Sequence, residues 1–290
     1  MARPIYIHVG THKTATTSVQ GLMARASKEI PRHGVFIPKA GRNSKDLCGH
    51  HNIGWSLRGD PRAQEKWGTL DDLCAELARA RHPRALLSSE DFEYLVEYPD
   101  LLRRMEQKLE AVGWSPIYIL FLRDPADYTI SLYNELAKDG LKEDFRAFVD
   151  TILSEGRFVF RNDWTYYLDY NAFIARWTAA ARGPLAVYSY DDAASGAGVL
   201  PAFLQSIGVP ATQDILEAPP PRPHLEQRIR YFLRGRPLPS APADPSRLNV
   251  NAARVTDDMR TEARRVRAAF ALPRALMLPI GAPAIPAAQA

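Results

Sequence analysis

Cysteine is nearly missing from the chain: Cys48 and Cys74 are the only two in 290 residues. They lie far apart, without other ligand types at zinc-site spacing, so neither a disulfide framework nor a zinc module is expected. Long apolar runs are missing as well. The stretch Met1 to Gly10 has neither the apolar run and small-residue cleavage site of a signal peptide nor the length to cross a bilayer. A cytoplasmic protein without a transmembrane segment is the expectation. No block of one charge stands out either, since 37 basic and 33 acidic residues, a formal net charge of +4, are spread along the chain. That balance favours an anionic ligand and gives no reason to expect nucleic acid. No internal repeat is visible.

What is present is a 46% hydrophobic composition, enough for a large core. Ile5 to Val9, Ala85 to Ser88, Ile117 to Leu122 and Leu185 to Tyr190 are short apolar runs of strand type. Between them lie helical patterns. Val19, Leu22, Met23, Ala26 and Ile30 recur three and four apart, and Leu101 to Val112 and Tyr128 to Ala137 read the same way. Asp124-Pro125 is a helix start, with Asp as cap and Pro in the first turn. Strands alternating with helices predict an α/β fold with a central parallel sheet flanked by helices, its ligand at the C-terminal ends of the strands. Gly41 to Ala63, polar and rich in Gly and Pro, reads as a loop-rich excursion near that edge. Residues 1–218 are expected to form the core. Residues 219–290 read as a Pro-rich extension packing on or near it, with a short helix near Leu225 to Leu233 and a loose tail after about 279.

The first strand runs into Gly10-Thr11-His12-Lys13-Thr14-Ala15-Thr16-Thr17-Ser18 and then a helix. Helix N-termini present unpaired amides and a partial positive charge, so a phosphate is expected here, with Lys13 adding a full charge and the Thr and Ser hydroxyls adding donors. The usual nucleotide-kinase loop needs Gly, four residues, then Gly-Lys-Ser/Thr, and Lys13 follows Gly10 by three with no Gly before it.

Lys13-Thr14-Ala15-Thr16-Thr17 resembles the 5′-phosphosulfate loop of the sulfotransferases that use 3′-phosphoadenosine-5′-phosphosulfate (PAPS), in which Lys-Thr/Ser-Gly-Thr-Thr joins a strand to a helix. Ala15 stands where that pattern has Gly, harmless at helical dihedrals and strained at positive φ. Leu122-Arg123-Asp124-Pro125 followed by Ser131 resembles the family's 3′-phosphate site, an Arg at a strand end and a Ser eight residues on. Val187 to Asp192 and Phe203 to Gly208 resemble its later strand, acidic turn and helix end. The resemblance spans roughly residues 4 to 208; Asn249 and Asn251, beyond it, are weaker candidates for nucleotide contact.

The resemblance implies a three-layer P-loop-like fold. It implies sulfuryl transfer from PAPS, with 3′,5′-ADP as product and no metal, to a hydroxyl or amine of an acceptor such as a carbohydrate, a glycolipid or a small alcohol. Gly10 to Ser18 would hold the 5′-phosphosulfate, Lys13 would stabilise the leaving group, and Arg123 and Ser131 would take the 3′-phosphate. For the base, Glu90 after the second strand resembles the carboxylate of the carbohydrate-type enzymes, whereas His50, His51 and His12 are the alternatives by analogy with small-molecule enzymes. Asp91 is expected to point away from Glu90 if the chain is still extended there. Two other functions fit a strand-loop-helix of this kind: a P-loop phosphotransferase using ATP and magnesium, and a non-catalytic nucleotide-binding protein of the same fold.

Overall fold

A computed structural model describes residues 2–43, 48–161, 163–218 and 255–284. In chain order it contains β1 (Arg3–Gly10), α1 (Thr16–Arg25), α2 (Glu29–Arg32), β2 (Val35–Phe36), α3 (His51–Arg58), α4 (Leu70–Arg79) and β3 (Arg84–Ser88). A 3₁₀ segment (Glu90–Glu97) leads to α5 (Pro99–Ala111), β4 (Trp114–Leu122), α6 (Pro125–Lys138) and α7 (Phe145–Glu155). The hairpin β5 (Arg157–Phe160) and β6 (Trp164–Tyr167) precedes α8 (Tyr170–Ala180), β7 (Leu185–Ser189), α9 (Tyr190–Ser195), α10 (Val199–Ser206) and α11 (Gln213–Leu216). The last long helix is α12 (Asp257–Ala269).

The central sheet has the order β2-β3-β1-β4-β7, and every pairing in it is parallel. Because side chains alternate along a strand, Ile5, Ile7 and Val9 of β1 enter the core on one face while Tyr6 enters the core on the other. The first face is covered by α4 to α8, with Leu73, Met105, Leu132, Phe148 and Trp177 buried there, and the second by α1, α2, α10 and α11 through Leu22, Ile30, Phe203 and Ile215. This is the expected three-layer α/β arrangement. Strand order reverses about β1: the chain leaves it for β2 on one side through α1 and α2 on one face, and reaches β4 on its other side from β3 through α5 on the opposite face, so a crevice opens at its C-terminal end.

Two expectations change. The polar stretch 41–63 contains the helix α3, ended by Gly59 at φ +70; Asn52, Ile53 and Gly54 are buried on it, which offsets the weak helix preference of the sequence. Residues 279–284, expected within a loose tail, lie on the core: the Tyr188 hydroxyl donates to Ala282 O at 2.9 Å and the Ala284 amide to Ser206 O at 2.9 Å. α12 packs on α6 and α7, where Arg267 pairs with Asp124 at 2.7 Å and Arg265 with Asp150 at 2.8 Å. The expected helix near Leu225 to Leu233, and Asn249 and Asn251, lie outside the described residues. Among the described residues no helix is long and apolar enough to cross a membrane.

Candidate active site

Three strand ends meet around Gly10. Its φ is +104, and a Cβ there would stand 3.3 Å from Glu93 Oε2 and 3.5 Å from Glu90 Cβ, so glycine answers both the backbone conformation and the close approach. The loop after it is tied to its neighbours at three points. The Thr11 amide donates to Phe121 O of β4 at 3.1 Å, the Thr14 hydroxyl donates to Thr11 O at 2.6 Å, and the His12 amide donates to Glu93 Oε2 at 2.9 Å. Lys13 and Ala15 both take positive φ, 62° and 64°. Ala15 is therefore in the strained alternative, a left-handed residue with a Cβ, at a cost of roughly 1–2 kcal/mol. The twist it makes starts α1 at Thr16 with no side-chain cap, so the first-turn amides of Thr16, Thr17 and Ser18 are left for a ligand or solvent. Thr14 and Thr16 are buried, Ser18 half-buried and Thr17 exposed.

Lys13 Nζ lies 3.2 Å from Glu135 Oε2 on α6. Arg123, just past β4, donates from Nη1 to Lys13 O at 3.4 Å and stands 5.3 Å over the Tyr190 ring, while its Nε is buried without a partner among the described residues. Ser131 is buried nearly two turns into α6, the helix that Asp124 caps through the Ala126 and Asp127 amides.

On the β3 side, Ser89 caps the 3₁₀ segment by accepting from the Asp91 amide at 3.1 Å. Glu90 Oε2 accepts from Gln20 Nε2 of α1 at 2.8 Å. Because the chain turns into a 3₁₀ helix at Glu90, strand alternation ends there and Asp91 does not point away. Its Oδ2 lies 2.7 Å from His51 Nδ1, and Gln20 Oε1 lies 3.4 Å from His51 Nε2, so Glu90 and Asp91 share one network. Burial works against the Asp91 carboxylate, but the hydrogen bond and charge of His51, with help from His12 and Arg62, outweigh it and hold the carboxyl below its usual range.

The histidines separate sharply. His50, a candidate base by sequence, is fully buried with both nitrogens in use: Nε2 lies 3.1 Å from Pro38 O and Nδ1 accepts the Ser88 amide at 3.2 Å. Burial, with a smaller push from Arg42, lowers its pKa to about 3. It is a structural residue and leaves the list of bases. His12 Nδ1 lies 3.0 Å from Glu93 Oε2 and its Nε2 3.2 Å from the Tyr94 hydroxyl, which donates on to Tyr166 at 3.0 Å. Burial disfavours the His12 cation, but the charge of Glu93 beside the ring outweighs it and raises its pKa to about 9. Burial raises the Glu93 carboxyl and His12 pulls it part of the way back. With Glu93 Oε2 accepting the His12 amide and facing the ring, the geometry is that of an ion pair.

Glu93 and Gln20 are site residues that sequence reasoning passed over, and Asp91 is one that it turned away from the site. Gln20 had a signal: Met23 and Ala24, three and four residues on, are buried with it, and a polar side chain on such a face needs a partner. Among the described residues no group of three or more His, Cys, Asp or Glu side chains is arranged to hold a metal ion.

No family model and no curated protein matches the chain. Among solved structures it is similar to a sulfotransferase from Alicyclobacillus acidocaldarius, at 16% identity over 92% of this chain and 96% of that one, with a TM-score of 0.36. It is also similar to a mouse sulfotransferase complexed with PAP, at 12% identity over 94% of this chain and 88% of that one, with a TM-score of 0.41.

Proposed function

We propose that the chain is a PAPS-dependent sulfotransferase that delivers the sulfuryl group to a hydroxyl or amine of an acceptor, a carbohydrate or glycolipid. One observation carries the reading: the ends of β1, β4 and β3 bring an amide-rich loop with Lys13, the guanidinium of Arg123 and the carboxylate of Glu90 to a single crevice around Gly10. The residues present fit a nucleotide with two separate anionic groups. The uncapped first turn of α1 and Lys13 suit the 5′-phosphosulfate, and the unpartnered Arg123 Nε and the Ser131 hydroxyl suit a 3′-phosphate.

In this reading the acceptor oxygen attacks sulfur in line with the bridging oxygen of the donor. Its proton passes to Glu90, the new S–O bond forms as the old one breaks, and Lys13, released from Glu135, donates to the oxygen that leaves with 3′,5′-ADP. Thr16, Thr17 and Ser18 hold the 5′-phosphate through amides and hydroxyls. Arg123 and Ser131 distinguish PAPS from ATP, since a site built for a 3′-phosphate leaves part of the Arg123 guanidinium short of a partner without one. The charge stabilisation comes from these groups, so the reaction needs no metal. The deciding experiment incubates the purified chain with radiolabelled PAPS, or in parallel with γ-labelled ATP and magnesium, and a panel of saccharide, glycolipid, phenol and peptide acceptors, with and without EDTA. Label transfer to a saccharide or glycolipid that survives EDTA is expected; magnesium-dependent transfer from ATP instead would overturn the reading.

A further inference from the structure

Gln20 faces two acid–base candidates at once. It lies on α1 little more than one turn from the phosphate loop and is 2% exposed. An ionised carboxylate only accepts hydrogen bonds, so the contact with Glu90 Oε2 decides which way the amide points: nitrogen to Glu90 at 2.8 Å, oxygen to His51 Nε2 at 3.4 Å. The other ring nitrogen, Nδ1, faces Asp91 Oδ2 at 2.7 Å and Ser89 Oγ at 3.0 Å. Acceptors therefore stand on both sides of the ring, and the doubly protonated form is the one that satisfies both. Trp55 and Gly49 wall the His51 ring. His51 stacks on Trp55 with ring centres 5.6 Å apart, and a Cβ at Gly49 would overlap the His51 ring and stand 2.9 Å from Gln20 Oε1. The Cys48 amide donates to Gln20 O at 3.2 Å, which ties this backbone to α1.

We infer that Gln20 is a positioning residue that holds Glu90 as a proton acceptor and His51 as a proton donor, leaving the carboxylate alone to take a proton from an acceptor. Its catalytic meaning rests on the reading of Glu90 above. The charges that reach His51 come from Asp91 and Glu90 on the 3₁₀ segment and from His12 on the phosphate loop, with Arg62 3.4 Å from Asp91; neighbouring His50, lowered to about 3 by burial, is neutral beside it. Burial works against the cation, yet the Asp91 hydrogen bond and the fields of Glu90 and Asp91 outweigh it and raise the His51 pKa.

The test is an NMR titration of the ¹⁵N-labelled His51 ring in the full chain and in Gln20→Met, Glu90→Gln and the double variant. Met keeps the length and volume of Gln while removing its acceptor oxygen. The His51 midpoint should fall by about half a unit or more in Gln20→Met, because the bond that favours the charged ring is gone. Glu90→Gln should lower it too, by clearly less in the Gln20→Met background than in the parent, since coupled residues are not additive. Gln20→Glu, with a stronger acceptor, should raise the midpoint and serves if Gln20→Met does not fold. An unchanged midpoint in folded Gln20→Met, an equal effect of Glu90→Gln in both backgrounds, or no rise in Gln20→Glu would overturn the inference. Sulfuryl transfer is not the readout, so a fully active Glu90→Gln would remove the base assignment while the titration still judges Gln20.

Discussion

Along the β1 and β4 side of the crevice, polar groups exceed the partners the protein offers them. Among the described residues Lys13 has only Glu135, a side chain 43% exposed, the first turn of α1 has no side-chain cap, and Arg123 Nε has no partner. Along the β3 side the reverse holds: Glu90, Asp91, His51, Gln20 and Ser89 are joined in one network, and Glu93 is paired with His12. The difference teaches how one site can serve two ends of a reaction. Groups meant for a ligand's charge must stay short of partners, whereas groups that move a proton must be held in one orientation and one protonation state.

The comparison is broken most severely at the carboxylate. Glu90→Gln should keep affinity for 3′,5′-ADP while losing transfer by about two to four decades, as measured by label transfer at saturating PAPS. Near-normal transfer would remove Glu90 from the role of base. On the other side, Lys13→Ala should lower the rate constant at saturating donor by about two decades, and PAPS affinity by much less, because charge on the leaving oxygen is greatest in the transition state. Parallel losses in both would make Lys13 a ground-state contact.

Arg123→Ala sharpens the comparison in equilibrium terms. The intact chain should prefer 3′,5′-ADP to 5′-ADP by about one to two decades, the worth of a charged hydrogen bond of roughly 1.5–3 kcal/mol, and the variant should lose that preference. Calorimetry with both nucleotides measures it, and equal affinities in the intact chain would refute a 3′-phosphate site.

Acidity separates the two sides further. His12 is raised from 6.5 to about 9 by Glu93, so the stability it adds is complete below pH 6.5 and drains away as pH rises through about 9. Thermal melts of the intact chain should show Tm falling over that window, and His12→Gln should flatten the fall. An identical slope in the variant would assign the fall to other groups. The smallest effect belongs to Ala15→Gly. Relief of the left-handed Cβ, less the extra freedom of glycine in the unfolded chain, should leave a gain of about 0.5–1 kcal/mol, or a rise of roughly 2–4 °C in Tm at most. A lower Tm would show that the Ala15 methyl packs to advantage.

Much of this was legible along the chain. The alternation of short apolar runs with helical patterns specified a layered parallel sheet, and its strand ends, at Gly10, Ser88 and Leu122, put the loop, Glu90 and Arg123 on one edge. These are local signals: period, a turn glycine and a cap act over a few residues, and sequence order preserves them. The sign of φ at Ala15, the burial of His50 with both nitrogens used, the pairing of His12 with Glu93 and the bridge from Gln20 to Glu90 and His51 belong to the tertiary structure alone. Each joins residues far apart in the chain or depends on which atoms lose water. Proton affinity and hydrogen-bond roles follow from that three-dimensional surrounding, which residue types and spacing do not encode.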